Sequence, residues 1–276
     1  MALVLVGTPI GNLGDLSPRA VQALASADAI CCEDTRRTGR LLQHAGVART
    51  PLLVVNDHTE HAAITGVLAR LAAGERVAVV TDAGMPGISD PGERLVRAAV
   101  AAGHTVEVVP GPSAALTALV VSGLPAGRFV FEGFLPRKGS GRSDRLAEVA
   151  AERRTVVLYE APHRLARTLA DLTHACGRAR QVVVARELTK LHEEIWRGSL
   201  GDALTWAEEQ PPRGEIVLVL DGAAAPAAAT EGDIESALRN ELAQGASARD
   251  AASRVATRLG VSKRTAYDTA IRLRSS

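Results

Sequence analysis

Four stretches of this chain concentrate groups able to do chemistry. The densest is Arg186-Glu187-Leu188-Thr189-Lys190-Leu191-His192-Glu193-Glu194, directly after an apolar run. It holds every group a proton transfer needs: Glu187 and Glu193 as bases, Lys190 and Arg186 to favour the deprotonated hydroxyl or hold a phosphate. Dense charge is also the ordinary composition of a solvated face. The second stretch, Asp82-Ala83-Gly84-Met85-Pro86-Gly87-Ile88-Ser89-Asp90-Pro91-Gly92, contains no nucleophile–base pair. It offers backbone amides and carboxylates, which suit a polar, non-phosphate ligand. Asp82 is the candidate ligand contact, and Asp90 reads as the cap of the following helix. The third, Glu33-Asp34-Thr35-Arg36-Arg37, is either a site or a salt-bridge cluster; Glu33 and Asp34 are rival bases. The fourth, Pro136 to Arg145, is basic and rich in Gly and Ser. It reads as a flexible loop able to close on a phosphate backbone, or as a plain surface loop.

The elements around these stretches place three of them at strand ends. An uninterrupted apolar run predicts a strand covered on both faces at Ala2–Val6, and Ala29–Cys32, Leu52–Val55, Val77–Thr81 and Thr105–Val109 also read as strands. The third of these ends at Asn56-Asp57-His58. Helices follow: Ser17-Pro18 supplies a cap and a first-turn proline, Glu60–Ala72 is closed by Gly74, and Asp90-Pro91-Gly92-Glu93 has a capping-box pattern. Alternating strands and helices to residue 122 predict a mostly parallel sheet, with ligands at its carboxyl edge. The Gly-rich turn Gly7-Thr8-Pro9-Ile10-Gly11-Asn12-Leu13-Gly14 lies on that edge. Its spacing is wrong for a dinucleotide loop, and Pro9 removes an amide that a phosphate would need. Gly123 to Gly127 marks a joint. Beyond it, Phe129–Phe131, Thr155–Tyr159, Gln181–Ala185, Glu193–Arg197 and Glu215–Leu220 read as strands, and Leu200–Glu209 as a helix. The expected organisation is residues 1–122, residues 128–222 and, after an Ala/Pro linker at Ala223–Thr230, a helical tail at residues 233–276. The tail reads as a helix-turn-helix unit with seven Lys/Arg against two Asp from Arg249 onward.

Composition narrows the function. With 276 residues and a net charge of +1, the whole molecule is no polyelectrolyte binder, so contact with nucleic acid must be local. Cys31, Cys32 and Cys176 form no disulfide framework or metal-ligand spacing and read as reduced core thiols. His163 reads as structural. No apolar run reaches the roughly 18 residues of a membrane helix, and the first residues read as a strand, so a cytoplasmic protein without membrane contact is expected. Aromatic residues are only 3% of the chain, which favours recognition of any nucleic acid by shape and phosphate over base stacking.

The chain resembles the tetrapyrrole-methylase superfamily of S-adenosylmethionine enzymes, and within it the branch that methylates ribosomal RNA of the small subunit. The resemblance rests on segments running in order from residue 3 to residue 222. They include Gly-Thr-Pro-Ile-Gly-Asn-Leu-Gly-Asp-Leu, Glu-Asp-Thr-Arg, Thr-Asp-Ala-Gly-Met-Pro-Gly-Ile-Ser-Asp-Pro-Gly and Val-Pro-Gly-Pro-Ser-Ala. Phe-Glu-Gly-Phe-Leu-Pro-Arg-Lys, Tyr-Glu-Ala-Pro-His-Arg, Ala-Arg-Glu-Leu-Thr-Lys-Leu-His-Glu and Gly-Glu-Ile-Val-Leu-Val continue the series. It implies two α/β domains with S-adenosylmethionine in the cleft between them, plus the helical tail, and a homodimer. The cofactor would lie against Pro9, Asp82, Gly84, Pro86, Gly87, Ser113 and Ala114 from the first domain, and Tyr159, Glu160, Ile216 and Val217 from the second. The implied reaction is 2′-O-methylation of a cytidine in the decoding centre of 16S rRNA, with no resident metal. RNA contacts would come from Arg36, Arg137, Lys138, Arg142, Arg145, Lys263 and Arg264. Two other readings compete: methylation of a uroporphyrinogen- or precorrin-like tetrapyrrole in the same cleft, and a ligand-sensing transcription regulator with a DNA-binding tail.

Overall fold

The computed structural model describes residues 2–48, 50–56, 59–224 and 229–275. Asp57 and His58 of the expected strand end, and residues 225–228 of the expected linker, lie outside them. The chain divides into two compact units, residues 1–223 and 224–276.

In the first unit, β1 (Ala2–Val6), β2 (Ala29–Cys32), β3 (Leu52–Val54), β4 (Val77–Val79) and β5 (Thr105–Val109) form an all-parallel sheet in the order β3-β2-β4-β1-β5. Successive side chains of a strand point to opposite faces, and here both faces are covered. Val4, Ile30, Ala78 and Val80 pack with Ala20 and Leu24 of α1 (Pro18–Ala25) and Leu42 of α2 (Thr35–His44). Leu3, Cys31, Val77 and Val79 pack with Val67 and Leu71 of α3 (Glu60–Ala72) and Leu95 and Ala99 of α4 (Glu93–Ala101). This double cover is why the inner strands β1, β2 and β4 read as apolar runs without alternation, while the edge strands β3 and β5 stay partly exposed. The adjacent thiols of Cys31 and Cys32 enter opposite cores. Burial, with Cys32 beside it, pushes Cys31 up to about 12, so it is an inert core thiol. The connections leaving the neighbouring strands β1 and β4 run in opposite directions, to β2 and to β5. A crevice therefore opens at their carboxyl ends.

Helix α5 (Ala114–Ser122) leads to a second sheet, β6-β7-β10-β8-β9. Its strands are β6 (Phe129–Phe134), β7 (Thr155–Glu160), β8 (Gln181–Arg186), β9 (Glu194–Ser199) and β10 (Ile216–Leu220). Only β6 and β7 pair in parallel. One face, with Val156, Leu158, Val184 and Leu218, is covered by α6 (Ser140–Ala151), α7 (Leu165–Cys176) and α8 (Leu200–Glu209). The other, with Val157, Val183, Val217 and Val219, receives Ala115, Ala118 and Leu119 of α5. The second unit is three helices, α9 (Glu231–Ala243), α10 (Ala248–Leu259) and α11 (Lys263–Ser275), around Leu238, Ala251, Val255 and Ala270. Gly260 ends α10 at φ 65°, a left-handed conformation that glycine adopts without steric cost. Among the described residues, no helix is long and apolar enough to cross a membrane.

Two sequence expectations fail. The segment from Pro136 to Arg145 is not a flexible loop throughout, because α6 begins at Ser140. Asp90 is not the cap of α4. That helix starts at Glu93 after its cap residue Gly92, which has no side chain to accept from the first amides. Glu60, at the start of α3 and only 4% exposed, takes the role from a distance: one carboxylate oxygen accepts from the N–H groups of Gly92, Arg94 and Leu95 at 3.0–3.2 Å. A buried carboxylate satisfied by otherwise orphaned amides at a helix start is favourable. Glu60→Ala should therefore lower stability by about 3 kcal/mol, read as a lower urea midpoint, with Glu60→Gln falling between the two.

Candidate active site

The loops at the carboxyl ends of β1, β4 and β5 are locked to one another. Thr8 and Gly84 exchange backbone hydrogen bonds, Thr8 N–H to the Gly84 carbonyl at 2.9 Å and Gly84 N–H to the Thr8 carbonyl at 3.1 Å. Gly7 donates to the Val109 carbonyl at 3.0 Å. A Cβ on Gly7 would lie 2.6 Å from the Gly111 backbone, so two glycines are needed for this approach. Opposite these loops stand the ends of β7, β8 and β10, brought there by α5 packing on the second sheet.

Between the two sets lies a cavity of about 320 Å³, at the lower end of the range for small-molecule sites. Of the residues expected against the cofactor, Gly84, Ser113, Ala114, Tyr159, Glu160, Ile216 and Val217 line it. Pro9, Asp82, Pro86 and Gly87 do not. Pro9 is buried. Asp82 turns to Arg37, whose Nε lies 3.4 Å from its carboxylate, and sits beside Glu33, which accepts from the Asp82 N–H and the Thr81 hydroxyl. Burial and the neighbouring Glu33 raise the Asp82 carboxyl above its ordinary value. Glu33 and Asp34 thus belong to an ion cluster outside the cavity.

Residues that carry no chemical signature supply much of the wall. Ile10, Met85, Ile88, Phe134 and Leu188 contribute apolar surface, and Asp90 and Glu215 bring carboxylates. Aromatic edges support one side: the Tyr159 ring lies 5.0 Å from Phe131 and 5.6 Å from Phe134. The Glu160 carboxylate is consumed beneath the wall. It accepts from the Thr168 hydroxyl at 2.6 Å and pairs with Arg164 at 3.1 Å.

Arg142, expected on RNA, belongs to the same buried network. It is 5% exposed and donates to Asp171, Thr168 and the Pro136 carbonyl. It braces the segment behind Phe134 and is not available to a phosphate. Arg145 pairs with Glu132 and Glu148. Arg36 is exposed beside Asp34, and Arg137 and Lys138 are exposed. Lys263 and Arg264 are exposed on α11 of the second unit.

The segment after β8 is a tightly bonded loop on the cavity rim. Glu187 Oε1 accepts from Lys190 Nζ and from the Glu215 N–H, both at 2.9 Å, and Lys190 also reaches Glu215 at 2.9 Å. Arg186 pairs with Glu194 at 2.9 Å. Glu193 accepts from the Thr189 N–H at 2.6 Å. The loop touches the first set of loops: Thr189 Oγ1 accepts from the Asn12 N–H at 3.1 Å, and a Cβ on Gly11 would strike Lys190. Among the described residues, the non-glycine residues with positive φ are Ser89, Glu187 and Thr189. Ser89 lines the cavity, and the other two flank Leu188, which does. Strained backbone held in place around a cavity marks a site whose shape is over-determined.

Partial burial would raise the Glu187 carboxyl, but the Glu215 N–H and the Lys190 ammonium outweigh it and hold it below its ordinary value. Burial would lower Lys190, but bonds to Glu187 and Glu215 outweigh it and raise it. Both are charged at neutral pH, which makes Glu187 a weakened base and the pair an electrostatic clamp. The depressed carboxyl contributes stability that is complete above its unfolded value near 4.5 and is lost as pH falls through the lower folded value. The raised ammonium contributes stability that is complete below 10.5 and is lost as pH rises through the higher folded value. Glu187→Gln should flatten the fall in thermal midpoint on acidification below pH 4.5 and leave the slope between pH 6 and 8 unchanged, in melts recorded across pH.

The family model for tetrapyrrole (corrin/porphyrin) methylases matches residues 2–204. The chain is 45% identical to ribosomal RNA small subunit methyltransferase I of Synechocystis sp., over 98% of each chain. It is 50% identical to the protein of that name from Xylella fastidiosa, over 91% of this chain and 93% of the relative. With the one from Mycobacterium tuberculosis it shares 45% over 99% and 95%. Among solved structures, the methyltransferase CobJ matches with a TM-score of 0.62 at 25% identity, over 82% of this chain and 95% of that one. Cobalt precorrin-4 methyltransferase CbiF matches with a TM-score of 0.60 at 17% identity, over 82% and 96%, a likeness of fold. The interlocked loops, the cleft between two sheets and these matches agree: the chain belongs to the tetrapyrrole methylase family.

Proposed function

We propose that this protein transfers the methyl group of S-adenosylmethionine to the ribose 2′-hydroxyl of a cytidine in the decoding centre of 16S rRNA, within the small ribosomal subunit. The observation that carries the reading is identity to relatives named for small-subunit ribosomal RNA, 45% over 98–99% of the chain and 50% over 91% of it. The cavity fits the cofactor by its chemistry. Ile10, Met85, Tyr159, Leu188, Ile216 and Val217 offer an apolar bed for a purine and a thioether-bearing chain, and Ser113 and Asp90 offer polar partners. When bound, S-adenosylmethionine supplies a methyl carbon on a positively charged sulfur, which departs as a neutral thioether.

The protein's own task is to place a hydroxyl oxygen in line with that carbon and help its proton leave. Positioning alone reaches about 7–11 kcal/mol in favourable cases. The rim loop performs the positioning in this reading: Lys190 holds the phosphate beside the target ribose, and Arg186 and Glu193 keep the loop in shape. Glu187, whose carboxyl is held low, orients Lys190, and the hydroxyl proton passes to Glu187 or to water. RNA is gripped by Arg36, Arg137 and Lys138 of the first unit and by Lys263 and Arg264 of the second, and the enzyme works as a homodimer.

Incubation with methyl-labelled S-adenosylmethionine should place label in 16S rRNA of purified small subunits, at one cytidine and in an alkali-resistant linkage, and none in uroporphyrinogen or precorrin. The reverse pattern would move the protein to the tetrapyrrole branch. Lys190→Ala should lower the rate about 100-fold and leave cofactor affinity within a factor of about three. Removing residues 230–276 should weaken RNA affinity and its salt dependence and spare cofactor binding. Unchanged RNA affinity would refute the role of the tail.

A further inference from the structure

The chain has three Phe, two Trp and two Tyr, and all but one are used in packing. Phe131, Phe134 and Tyr159 meet edge to face, Trp196 stacks on Trp206 at 5.6 Å, and Phe129 packs against the core. Tyr267 on α11 is the exception: it is 43% exposed and has no ring neighbour among the described residues, whereas Phe134, 51% exposed, has its ring against Tyr159.

Tyr267 sits in a groove between α10 and α11 lined by Arg249, Asp250, Ser253, Lys263 and Arg264. Positions 263, 264 and 267 share one face of α11, and 249 and 253 share one face of α10, by helical spacing. The cations here differ from others on the same unit. Arg254 and Arg258 are taken up by Glu241, and Arg272 by Glu231 and Glu235. Among the described residues, Arg249 and Lys263 enter no ion pair, and Arg264 has only a 3.9 Å contact with Asp268. Asp250, the groove's one carboxylate, accepts from the Ser247 hydroxyl at 2.6 Å at the start of α10.

We propose that the groove between α10 and α11 is a subsite for unpaired RNA, with one base stacked on Tyr267 and flanking phosphates held by Arg249 and Lys263. This rests on the reading of the protein as an RNA methyltransferase and adds base stacking to a tail otherwise expected to read phosphate alone. A π-face beside free cations is the arrangement that holds single strands without reading sequence, whereas a base inside a duplex has no open face to offer.

The test is fluorescence anisotropy of the full-length protein with an unstructured, end-labelled oligoribonucleotide of about ten nucleotides, titrated at several salt concentrations. Tyr267→Ala should weaken binding about tenfold with an unchanged salt slope, and Tyr267→Phe should bind as the native protein does. Lys263→Gln should weaken binding and reduce the salt slope by about 0.7. Tyr267→Leu keeps apolar volume without a π-face and should resemble Tyr267→Ala; matching thermal midpoints establish that folding is not the cause. Native affinity in a folded Tyr267→Ala protein, with Lys263→Gln still weakened, overturns the stacking subsite and spares the wider RNA reading. Native affinity in both, or a duplex of the same length competing equally, overturns the groove as a single-strand site. Label transfer into small subunits reports separately on the methyltransferase reading.

Discussion

The apolar seam under α5 is the constraint on which the rest depends. Ala115, Ala118 and Leu119 leave the first sheet's connection and bury themselves against Val157, Val183, Val217 and Val219 of the second. The helix starts at Ser113, which caps it and lines the cavity. One element thus joins the sheets and sets the distance between the two groups of loops. Small side chains allow this close approach. Two strand residues of the same seam, Ala185 and Val217, also line the cavity wall, so a change of packing there is a change of site geometry.

Chemistry at the rim follows from what the seam brings together. The strained loop at Glu187–Thr189 would be unstable alone; here Asn12 from the other side donates to Thr189, and Gly11 leaves room for Lys190. The clamp of Glu187, Lys190 and Glu215 keeps opposite charges paired in a partly buried place, where interactions between charges exceed those in water. The pairing fixes the Lys190 ammonium at the mouth of an apolar cavity, and a fixed charge is the kind of preorganisation from which an enzyme that transfers a methyl group gains most.

The sequence made the frame legible because each piece has a local cause. Ala2–Val6 and Val77–Thr81 read as strands because the side chains of β1 and β4 are buried on both faces, and the Gly-rich turns read as ligand loops because the glycines at Gly7 and Gly111 meet backbone. What was illegible depends on partners far along the chain. Asp90 had the local pattern of a cap, yet Glu60 supplies the acceptor. Arg142 sat in a run that looks like a basic loop, yet its partners Thr168 and Asp171 lie on α7. Ile10, Phe134 and Leu188 line the cavity without any sign in the sequence, since an apolar wall residue looks like any core residue.

The central claim is that the cleft between the two sheets binds S-adenosylmethionine. Isothermal titration of the purified protein with that compound tests it most directly, beside a variant, Ala114→Trp, that fills the cavity. The account predicts saturable heat with one site per chain in the native protein and none in the folded variant. No heat in the native protein while its fold is intact, or equal heat in both, would contradict it.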